Sequence, residues 1–435
     1  MSDTICAIAT PPGRGGVGVV RISGAGVPGI AESLVGSLPE PRRATLVNVR
    51  DADGRGLDHG LALYFPAPHS FTGEHVLELQ LHGSPVVLEQ VLGAAVTAGA
   101  RRAGPGEFSQ RAYLNDKLDL AQAEAIADLI ASSSEQAARA ARRSLEGAFS
   151  RSVESLVESL VELRVYVEAA LDFPDEEIDF LADGVVSGRL AERIGDCRTL
   201  LDRAEAGRLL TDGIRIAIIG KPNAGKSSLF NALVRRDAAI VTEVPGTTRD
   251  VVRETVHFAG IPAVLADTAG LRETDDPVER EGVRRAAAEL EQADLVLWVV
   301  DRMDPEPPHR PETTVPLIRV DNKSDLVEGP DETEGIAVSA RTGEGLEALD
   351  RALLEVLGVD ESASGEFSAR ARHVDCIRAA LAHLEAGADQ LAATGSGELL
   401  AEELKRAADA LGEITGRMHS DELLGRIFSS FCIGK

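Results

Sequence analysis

Short apolar runs alternate with helical patterns in the first 118 residues, and this alternation predicts a mixed α/β domain. Four runs are bounded by glycine, proline or aspartate, as strands usually are: Ile5 to Ile8, Val17 to Ile22, Thr45 to Val49 and Val76 to Leu81. Segments 27–36 and 85–99 have helical spacing. The turn-rich stretch 10–18 lacks Gly-Lys-Ser, so we expect a flexible loop beside a binding site rather than a phosphate loop.

From Asp119 onward the pattern changes to long helices. Residues 121–143 are rich in alanine and other good helix formers. Further along, apolar residues at three-and-four spacing form one stripe on a predicted helix: Val153, Leu156, Leu160, Leu163 and Val167. Helices are also predicted at 185–209, 370–392 and 397–416. We expect residues 119–210 and 361–435 to be the two halves of one discontinuous all-α domain.

Residues 211–360 interrupt these helices with the strand–helix alternation of a doubly wound parallel sheet. Strands are predicted at 214–219, 254–259, 262–267, 294–300, 315–321 and 335–339, the last helix at 345–357, and a proline-rich loop at 302–314. Insertion of one domain into another is common because domain termini often lie close together. The predicted fold class is therefore multidomain: an N-terminal α/β domain, a discontinuous helical domain and an inserted α/β domain.

Composition narrows the classes of function. At 435 residues the chain is too long for a single core, and a net charge of −26 argues against a surface that binds nucleic acid along its whole length. Any contact with RNA should be confined to a local site or shared with a partner. The four cysteines are far apart, no apolar run approaches membrane-spanning length, and the acidic start of the chain does not resemble a signal peptide. A reduced, cytoplasmic setting is expected.

The inserted domain begins with a phosphate-loop pattern. An apolar run, 214–219, leads into Gly220-Lys221-Pro222-Asn223-Ala224-Gly225-Lys226-Ser227-Ser228 and then into a predicted helix. Backbone N–H groups of such a loop wrap a polyphosphate, and the helix N-terminus adds a partial positive charge. Lys226 can reach the terminal phosphates, and the Ser227 hydroxyl can ligate Mg²⁺.

Partner motifs follow the phosphate loop in order, and together they predict GTP rather than ATP. Asp267-Thr268-Ala269-Gly270 ends a strand, where Asp267 can hold Mg²⁺ through water and the Gly270 N–H can sense the terminal phosphate. Asn322-Lys323-Ser324-Asp325 ends another strand, and its aspartate can accept two hydrogen bonds from guanine. Ser339-Ala340 can support base recognition. In Gly246-Thr247-Thr248-Arg249-Asp250 a threonine hydroxyl can complete the Mg²⁺ shell. These motifs resemble those of Ras-like P-loop GTPases.

Leu271 stands where Ras-like GTPases place the glutamine that orients the attacking water. Glu279 is a candidate replacement that acts through a water, although it could equally begin an exposed helix. Asn223 offers a second compensation, because its side-chain oxygen and carbonyls of the 242–247 loop could hold a monovalent cation that neutralises charge.

The full pattern resembles one family, the tRNA-modification GTPases MnmE (TrmE). The resemblance extends from Asp3-Thr4-Ile5 through Val76-Leu77-Glu78-Leu79-Gln80, the motif 105–112 (Pro-Gly-Glu-Phe-Ser-Gln-Arg-Ala) and Asn115 to Leu120, to the final Phe431-Cys432-Ile433-Gly434-Lys435. It implies a homodimer joined through N-terminal domains, a formyl-tetrahydrofolate-type cofactor, and a heterotetramer with the FAD-containing protein MnmG. It also implies potassium-stimulated GTP hydrolysis and a carboxymethylaminomethyl group installed on the wobble uridine of certain tRNAs.

The resemblance also implies roles for individual residues. Arg21, Glu78, Lys117 and Lys435 match folate-site positions; Ser227 and Thr248 match Mg²⁺ ligands; Glu279 matches the water-orienting glutamate. Potassium would be held by Asn223 with the carbonyls of Thr242, Val244 and Thr247, in a GTP-binding loop that also contains Glu243, Pro245 and Gly246. Pro245 replaces a small residue expected in the family, which preserves carbonyl ligation and changes the mobility of the loop.

Some alternatives remain open at this stage. Glu78 can accept two parallel hydrogen bonds from a pterin edge and Arg21 can meet a carboxylate, but the two could also form an ordinary cross-strand pair. Cys432 could be a reactive thiol or a buried small apolar residue. A ribosome-assembly GTPase shares the motifs between 220 and 325 but should carry a basic RNA-binding module afterwards, whereas residues 361–435 are acidic and helical. A folate-binding scaffold with the GTPase as a conformational timer is a further alternative.

Overall fold

The structure is a computed structural model, and it describes residues 3–172, 184–237, 253–258, 261–267, 293–304, 310–311, 313–327, 334–357, 366–417, 421–429 and 431–434. The chain divides into two compact units. The first comprises Met1–Ala127 with Leu411–Lys435, and the second comprises Asp128–Ala410. Domain boundaries within these units stay predictions.

The strands of the described residues are β1 (Ile5–Ile8), β2 (Gly15–Ser23), β3 (Thr45–Arg50), β4 (Gly56–Phe65), β5 (Val76–Gly83), β6 (Arg101–Arg102), β7 (Ile214–Ile219), β8 (Arg253–Phe258), β9 (Ile261–Asp267), β10 (Leu295–Asp301), β11 (Leu317–Asn322) and β12 (Ile336–Val338). The helices are α1 (Val27–Val35), α2 (Pro85–Thr97), α3 (Glu107–Leu114), α4 (Leu120–Ala131), α5 (Glu135–Leu145), α6 (Ala148–Asp172), α7 (Val185–Asp212), α8 (Lys226–Asp237), α9 (Leu346–Val356), α10 (Ala371–Thr394), α11 (Gly397–Thr415) and α12 (Asp421–Ser429).

The first unit is built on a six-stranded sheet in the order β3-β4-β5-β2-β1-β6. Neighbouring strands are antiparallel except β1 and β6, which are parallel. Alternate residues of the strands point inward, and they pack with the apolar sides of α1 and α2 into one core that includes Ile22, Leu77, Leu79 and Val91. The four predicted strands and both predicted helices of this region are confirmed.

Two predictions for this unit need correction. The expected loop at 10–18 is wrong for residues 15–18, because β2 begins at Gly15. Gly15 pairs with Gly83, where a Cβ atom would lie 2.5 Å from the Gly15 carbonyl oxygen, so the strands meet where side chains do not fit. The pattern also misses β4. Polar Asp58 and His59 interrupt its alternation, and a Cβ on Gly60 would overlap with the backbone of Gln80.

The C-terminal residues of the first unit pack around α3 and α4. A small core joins Leu120 and Ala123 with Leu424, Phe428 and Phe431. Beyond this core, Ile433 forms an isolated antiparallel bridge with Pro105. The end of the described chain therefore lies beside the 105–112 motif and near the start of the sheet.

In the second unit, the predicted apolar stripe of α6 is confirmed. All five of its members are buried: Val153, Leu156, Leu160, Leu163 and Val167. The alanine-rich segment 121–143 is broken into α4 and α5. The break lies at Ser134, whose side chain accepts a hydrogen bond from the Ala137 N–H and caps α5.

The second unit also contains a six-stranded sheet in the order β12-β11-β10-β7-β9-β8. All pairs are parallel except β8 with β9, so the predicted parallel sheet is confirmed with an antiparallel edge strand. Each predicted strand lies within two residues of its observed bounds. Buried side chains from the central strands, α8 and α9 form the core, including Ile216, Ile218, Leu229, Leu297 and Leu353. Within the described ranges, no helix has the length and apolar character to cross a membrane.

Candidate functional site

The phosphate loop lies at the carboxyl end of the central strand β7 and leads directly into α8. Its backbone requires unusual conformations: Gly220, Asn223 and Gly225 have φ values of 154°, 64° and 95°. A Cβ on Gly220 would overlap with the Val299 carbonyl oxygen, and one on Gly225 would overlap with the Asn322 side chain. The two glycines are therefore required by the packing of the loop as well as by its shape.

Lys226 folds its ammonium group back across this loop. Its Nζ donates to the carbonyl oxygens of Gly220 at 2.9 Å and Lys221 at 3.0 Å. Lys226 and Ser227 begin α8, so backbone amides, the lysine and a hydroxyl lie at one helix N-terminus. This donor set is suited to phosphate oxygens, with Ser227 available as a hard oxygen ligand for Mg²⁺.

Asn322 connects the phosphate loop to the two motifs of base recognition. Its side-chain amide donates to the Ala224 carbonyl oxygen at 2.9 Å, and its side-chain oxygen accepts from the Ala340 N–H at 3.1 Å. Asn322 is buried, so both bonds are protected from water. The structure thus brings together the predicted residues Ala224, Asn322 and Ala340.

Asp325 presents an ionised carboxylate beside them. The Ser339 hydroxyl donates to its Oδ1 at 2.7 Å, and Arg341 lies 2.9 Å from its Oδ2. The hydrogen bond from Ser339, with the charge of Arg341, holds the pKa of Asp325 below its ordinary value. A fixed carboxylate can accept from the N1 and N2 groups of guanine, which adenine cannot supply.

In the first unit, Arg21 and Glu78 are direct partners on β2 and β5, with Nε donating to Oε1 at 2.9 Å. The ordinary cross-strand pair that sequence reasoning left open is therefore present. Arg21 also donates through Nη1 to the Gly434 carbonyl oxygen at 3.3 Å. Two of the residues predicted for a folate site thus lie together, next to the chain segment that precedes Lys435.

A loop at residues 71–74 lies beside this pair. The Arg21 guanidinium is 5.7 Å from the ring centre of Phe71, and the Thr72 hydroxyl is 2.7 Å from that of Ser23. Asn115 donates to the Thr72 carbonyl oxygen at 2.7 Å. A Cβ on Gly73 would lie 3.2 Å from Cε of Lys117, so this exposed lysine borders the same loop.

Cys432 is exposed, so the alternative of a buried apolar residue is wrong. Its carbonyl oxygen accepts from the Gly106 N–H at 3.3 Å, which fixes its backbone on the motif 105–112. The other three cysteines are buried, and burial raises the pKa of the Cys6 and Cys197 thiols to about 11.

Comparisons with known proteins decide the family. Residues 4–117 match the family model "GTP-binding protein TrmE N-terminus", and residues 120–432 match "MnmE helical domain". A tRNA modification GTPase MnmE from Erwinia tasmaniensis is 54% identical over 451 residues, covering 100% of this chain and 99% of the relative. The chain belongs to the MnmE family of tRNA-modification GTPases. The predicted multidomain class is confirmed with it.

Solved structures similar to this MnmE-family chain cover about a third of it. A GDP-bound Era from Aquifex aeolicus is 28% identical, covers 34% of this chain and 58% of its own, and has a TM-score of 0.27. The G domain of the FeoB iron transporter from T. maritima is 25% identical, covers 33% of this chain and 98% of its own, and has a TM-score of 0.24.

Several residues predicted for the MnmE-family site lie outside the described residues. They are Thr242, Glu243, Val244, Pro245, Gly246, Thr247, Thr248, Thr268, Ala269, Gly270, Glu279 and Lys435. The backbone of Asp267 is described at the end of β9, paired with Ile218 of β7, which places this position at the nucleotide edge of the sheet. Ser228 follows Ser227 in the first turn of α8.

Sequence reasoning did not single out several residues that contact the candidate sites, including Phe71, Thr72, Asp301 and Arg341. Arg341 follows the Ser339-Ala340 motif directly, so its place beside Asp325 could have been inferred from adjacency. Asp301 ends a strand next to the strand that ends in Asn322, and parallel pairing of the two would have signalled it. For Phe71 and Thr72 the contacts depend on the fold of a turn-rich loop, where the pattern gives no signal.

Proposed function

We propose that this chain binds and hydrolyses GTP and couples hydrolysis to modification of the wobble uridine of certain tRNAs. The observation that carries the nucleotide assignment is the Asp325 carboxylate, held by Ser339 beside an asparagine that bonds the phosphate loop. That arrangement combines a guanine-specific acceptor with a phosphate cradle. The match to a tRNA modification GTPase over the full chain supports the tRNA assignment.

Potassium stimulation is the second part of the proposal. Asn223 occupies a left-handed backbone conformation in the phosphate loop, and its side-chain oxygen is the described member of the predicted cation ligands. Leu271 cannot orient water, so a cation and Glu279 would supply the missing charge and positioning. We expect GTP turnover to rise in potassium relative to sodium, and Asn223→Ala to remove that difference. Equal rates in both salts would contradict this part.

Glu279 would orient the attacking water. We expect Glu279→Ala to bind GTP normally and to hydrolyse it slowly, because the carboxylate acts on water and not on the bound nucleotide. Unchanged turnover would return Glu279 to an ordinary surface acid. Binding and turnover are measured separately, by fluorescent nucleotide titration and phosphate release.

A formyl-tetrahydrofolate-type cofactor is proposed for the site around Arg21 and Glu78. Glu78 carries the acceptor geometry for a pterin edge, Arg21 and Lys117 can meet a carboxylate, and the segment before Lys435 contacts Arg21. Glu78→Gln removes the charged acceptor but keeps its size, so it should weaken binding of 5-formyl-tetrahydrofolate in calorimetric titration. Glu89→Gln, on exposed α2, is the matched control.

A homodimer through the N-terminal domains is supported by an unusual apolar pair. Leu46 and Leu61 are directly opposite each other on β3 and β4, and Leu46 is 74% exposed. The core of this unit lies on the other side of the sheet, against α1 and α2. Two such faces would cover one another in a dimer. Analytical ultracentrifugation of Leu46→Asp should show a shift toward monomer.

The complete proposal includes the FAD-dependent protein MnmG as partner in a heterotetramer, a cytoplasmic location, and a carboxymethylaminomethyl group as the product. Reconstitution tests it: purified chain, MnmG, unmodified tRNA, folate and GTP, with the wobble nucleoside analysed by mass spectrometry. We expect product with GTP and little with a non-hydrolysable analogue. Equal product with both nucleotides would favour the alternative of a folate-binding scaffold with a GTPase timer.

A further inference from the structure

Lys323, in the base-recognition motif, has an ionic partner that lies outside the nucleotide motifs. Its Nζ is 2.5 Å from Oδ2 of Asp301, the last residue of β10. We propose that Asp301 is a positioning residue for nucleobase binding, which anchors the Lys323 ammonium so that its aliphatic chain covers one face of the purine. This inference rests on the proposed role of residues 322–325 in recognising the base.

The Asp301 carboxylate is itself held in place. Its Oδ1 accepts from the Met303 N–H at 2.9 Å, while Oδ2 receives the lysine. The turn that follows is closed by the Asp304 N–H, which donates to the Asp301 carbonyl oxygen at 3.1 Å. Both carboxylate oxygens are therefore engaged, and the anchor is fixed before a nucleotide arrives.

The strand register and the backbone direct Lys323 toward this anchor. Asp301 pairs with Asn322 in the parallel ladder of β10 and β11, so it lies beside the residue that precedes the lysine. Lys323 has a φ of 66°, a conformation that few side chains other than glycine adopt. The side chains of Asp301 and Lys323 are 20% and 32% exposed, so solvent screens the pair less than it screens a fully exposed one.

The chemistry of the lysine explains what the anchor provides. A lysine has four methylene groups that pack on apolar surface and a compact ammonium at the end. When Asp301 holds the ammonium, the methylene chain is left to contact the purine ring. Such a contact adds to the binding of any purine and does not distinguish between purines. Discrimination stays with Asp325, which accepts from the base edge.

Asp301→Asn tests the proposal because it keeps the acceptor for Met303 and removes the charge. Dissociation constants for GDP and inosine diphosphate, which lacks the 2-amino group, are measured by competition with a fluorescent GDP. We expect both to weaken by about three- to tenfold with their ratio unchanged, mainly through faster dissociation. Asp350→Asn is the matched control: Asp350 pairs with Arg236 at 3.0 Å and is similarly exposed, and it should leave both constants unchanged.

A double-mutant cycle distinguishes an effect through Lys323 from a general loss of structure. In a Lys323→Met background, Asp301→Asn should have no further effect. The full loss persisting in that background, a changed ratio of the two nucleotides, or no loss in the single variant would each overturn the proposal. Lys323→Met without any effect of its own would instead overturn the proposed base-recognition motif. Asp301→Glu, which keeps the charge, should bind within about twofold of the unmodified protein and serves if Asp301→Asn does not fold.

Discussion

Asn322 and Ala224 are joined by a buried hydrogen bond of 2.9 Å, from the Asn322 side-chain amide to the Ala224 carbonyl oxygen. Because Ala224 lies inside the phosphate loop, the residue that begins the base-recognition motif also supports the shape of the phosphate cradle. The same side chain accepts from the Ala340 N–H. One buried amide therefore links three nucleotide motifs that are far apart in the sequence.

Replacing Asn322 by alanine should affect folding and binding together. The change leaves the Ala224 carbonyl and the Ala340 N–H without their partner in a buried setting, so the free energy of unfolding should fall by about 1–3 kcal/mol. Affinity for GDP should fall as well, since the loop loses a support. Chemical denaturation and nucleotide titration measure the two effects. Asn48→Ala, on the exposed side of β3, should change stability by less than about 0.5 kcal/mol, and equal losses in both variants would contradict the prediction.

Asp325→Asn should shift nucleotide preference from guanine toward xanthine. The amide replaces one acceptor oxygen by a donor, and xanthine carries a carbonyl where guanine carries the 2-amino group. We expect xanthosine diphosphate to compete better than GDP for the variant. A variant that loses both nucleotides equally would show that Asp325 supports the fold and does not recognise the base.

Guanine preference should also be independent of pH across the neutral range. Ser339 and Arg341 lower the pKa of Asp325, and for an acid this keeps the carboxylate ionised at any pH above its ordinary value near 3.8. The ratio of GDP to inosine diphosphate affinity should therefore stay constant between about pH 5 and pH 8. A ratio that falls as the pH is lowered toward 5 would mean that the carboxylate is protonated in that range.

Gly213 joins α7 to the strand that carries the phosphate loop, and it should not tolerate a side chain. Its φ is +70°, and an added Cβ would lie 2.5 Å from the Pro262 carbonyl oxygen. Gly213→Ala should lower the free energy of unfolding by about 1–3 kcal/mol. Gly195, within α7, has open space around an added Cβ, so Gly195→Ala should stabilise the protein by up to about 1 kcal/mol. Thermal melting of the two variants compares them, and the same sign for both would refute the steric argument.

The four cysteines should differ sharply in reactivity. Cys432 is exposed, whereas Cys6, Cys197 and Cys376 are buried, and burial raises the pKa of Cys6 and Cys197 to about 11. The thiolate is the reactive form, so these buried groups hold almost none of it at pH 8. A thiol-reactive dye should label one cysteine quickly and the others only after denaturation. Cys432→Ser should remove the fast phase, and a fast phase that remains in this variant would place the reactive thiol elsewhere.

The second sheet could be predicted well because its strands are buried on both faces. Residues 295–300 form a continuous apolar run that has few other places to go in a folded chain, and the phosphate loop marks where the first strand ends. The order of the motifs along the chain also gave the roles of Asn322 and Asp325 in advance. Local pattern and motif chemistry were enough for these residues because both act close to a strand end.

Long-range pairs were beyond the reach of the sequence pattern. The Tyr113 hydroxyl donates to the Gly416 carbonyl oxygen at 2.8 Å, although 303 positions separate the two residues. Nothing in the spacing of apolar residues requires this contact, which follows from the packing of α12 against α3 and α4. The same applies to Asp301, whose significance comes from the neighbouring strand and not from its own surroundings in the sequence.

The bond between Arg21 and Gly434 has a consequence for how the molecule is made. Arg21 and Glu78 emerge from the ribosome early and can pair at once, but Gly434 is translated 413 positions after Arg21. An added Cβ on Gly434 would overlap with the Ile8 carbonyl oxygen, so this late segment must fit closely against the first strand to be synthesised. A chain that stops before residue 431 can therefore form its first sheet and still lack the contact that completes the surroundings of Arg21.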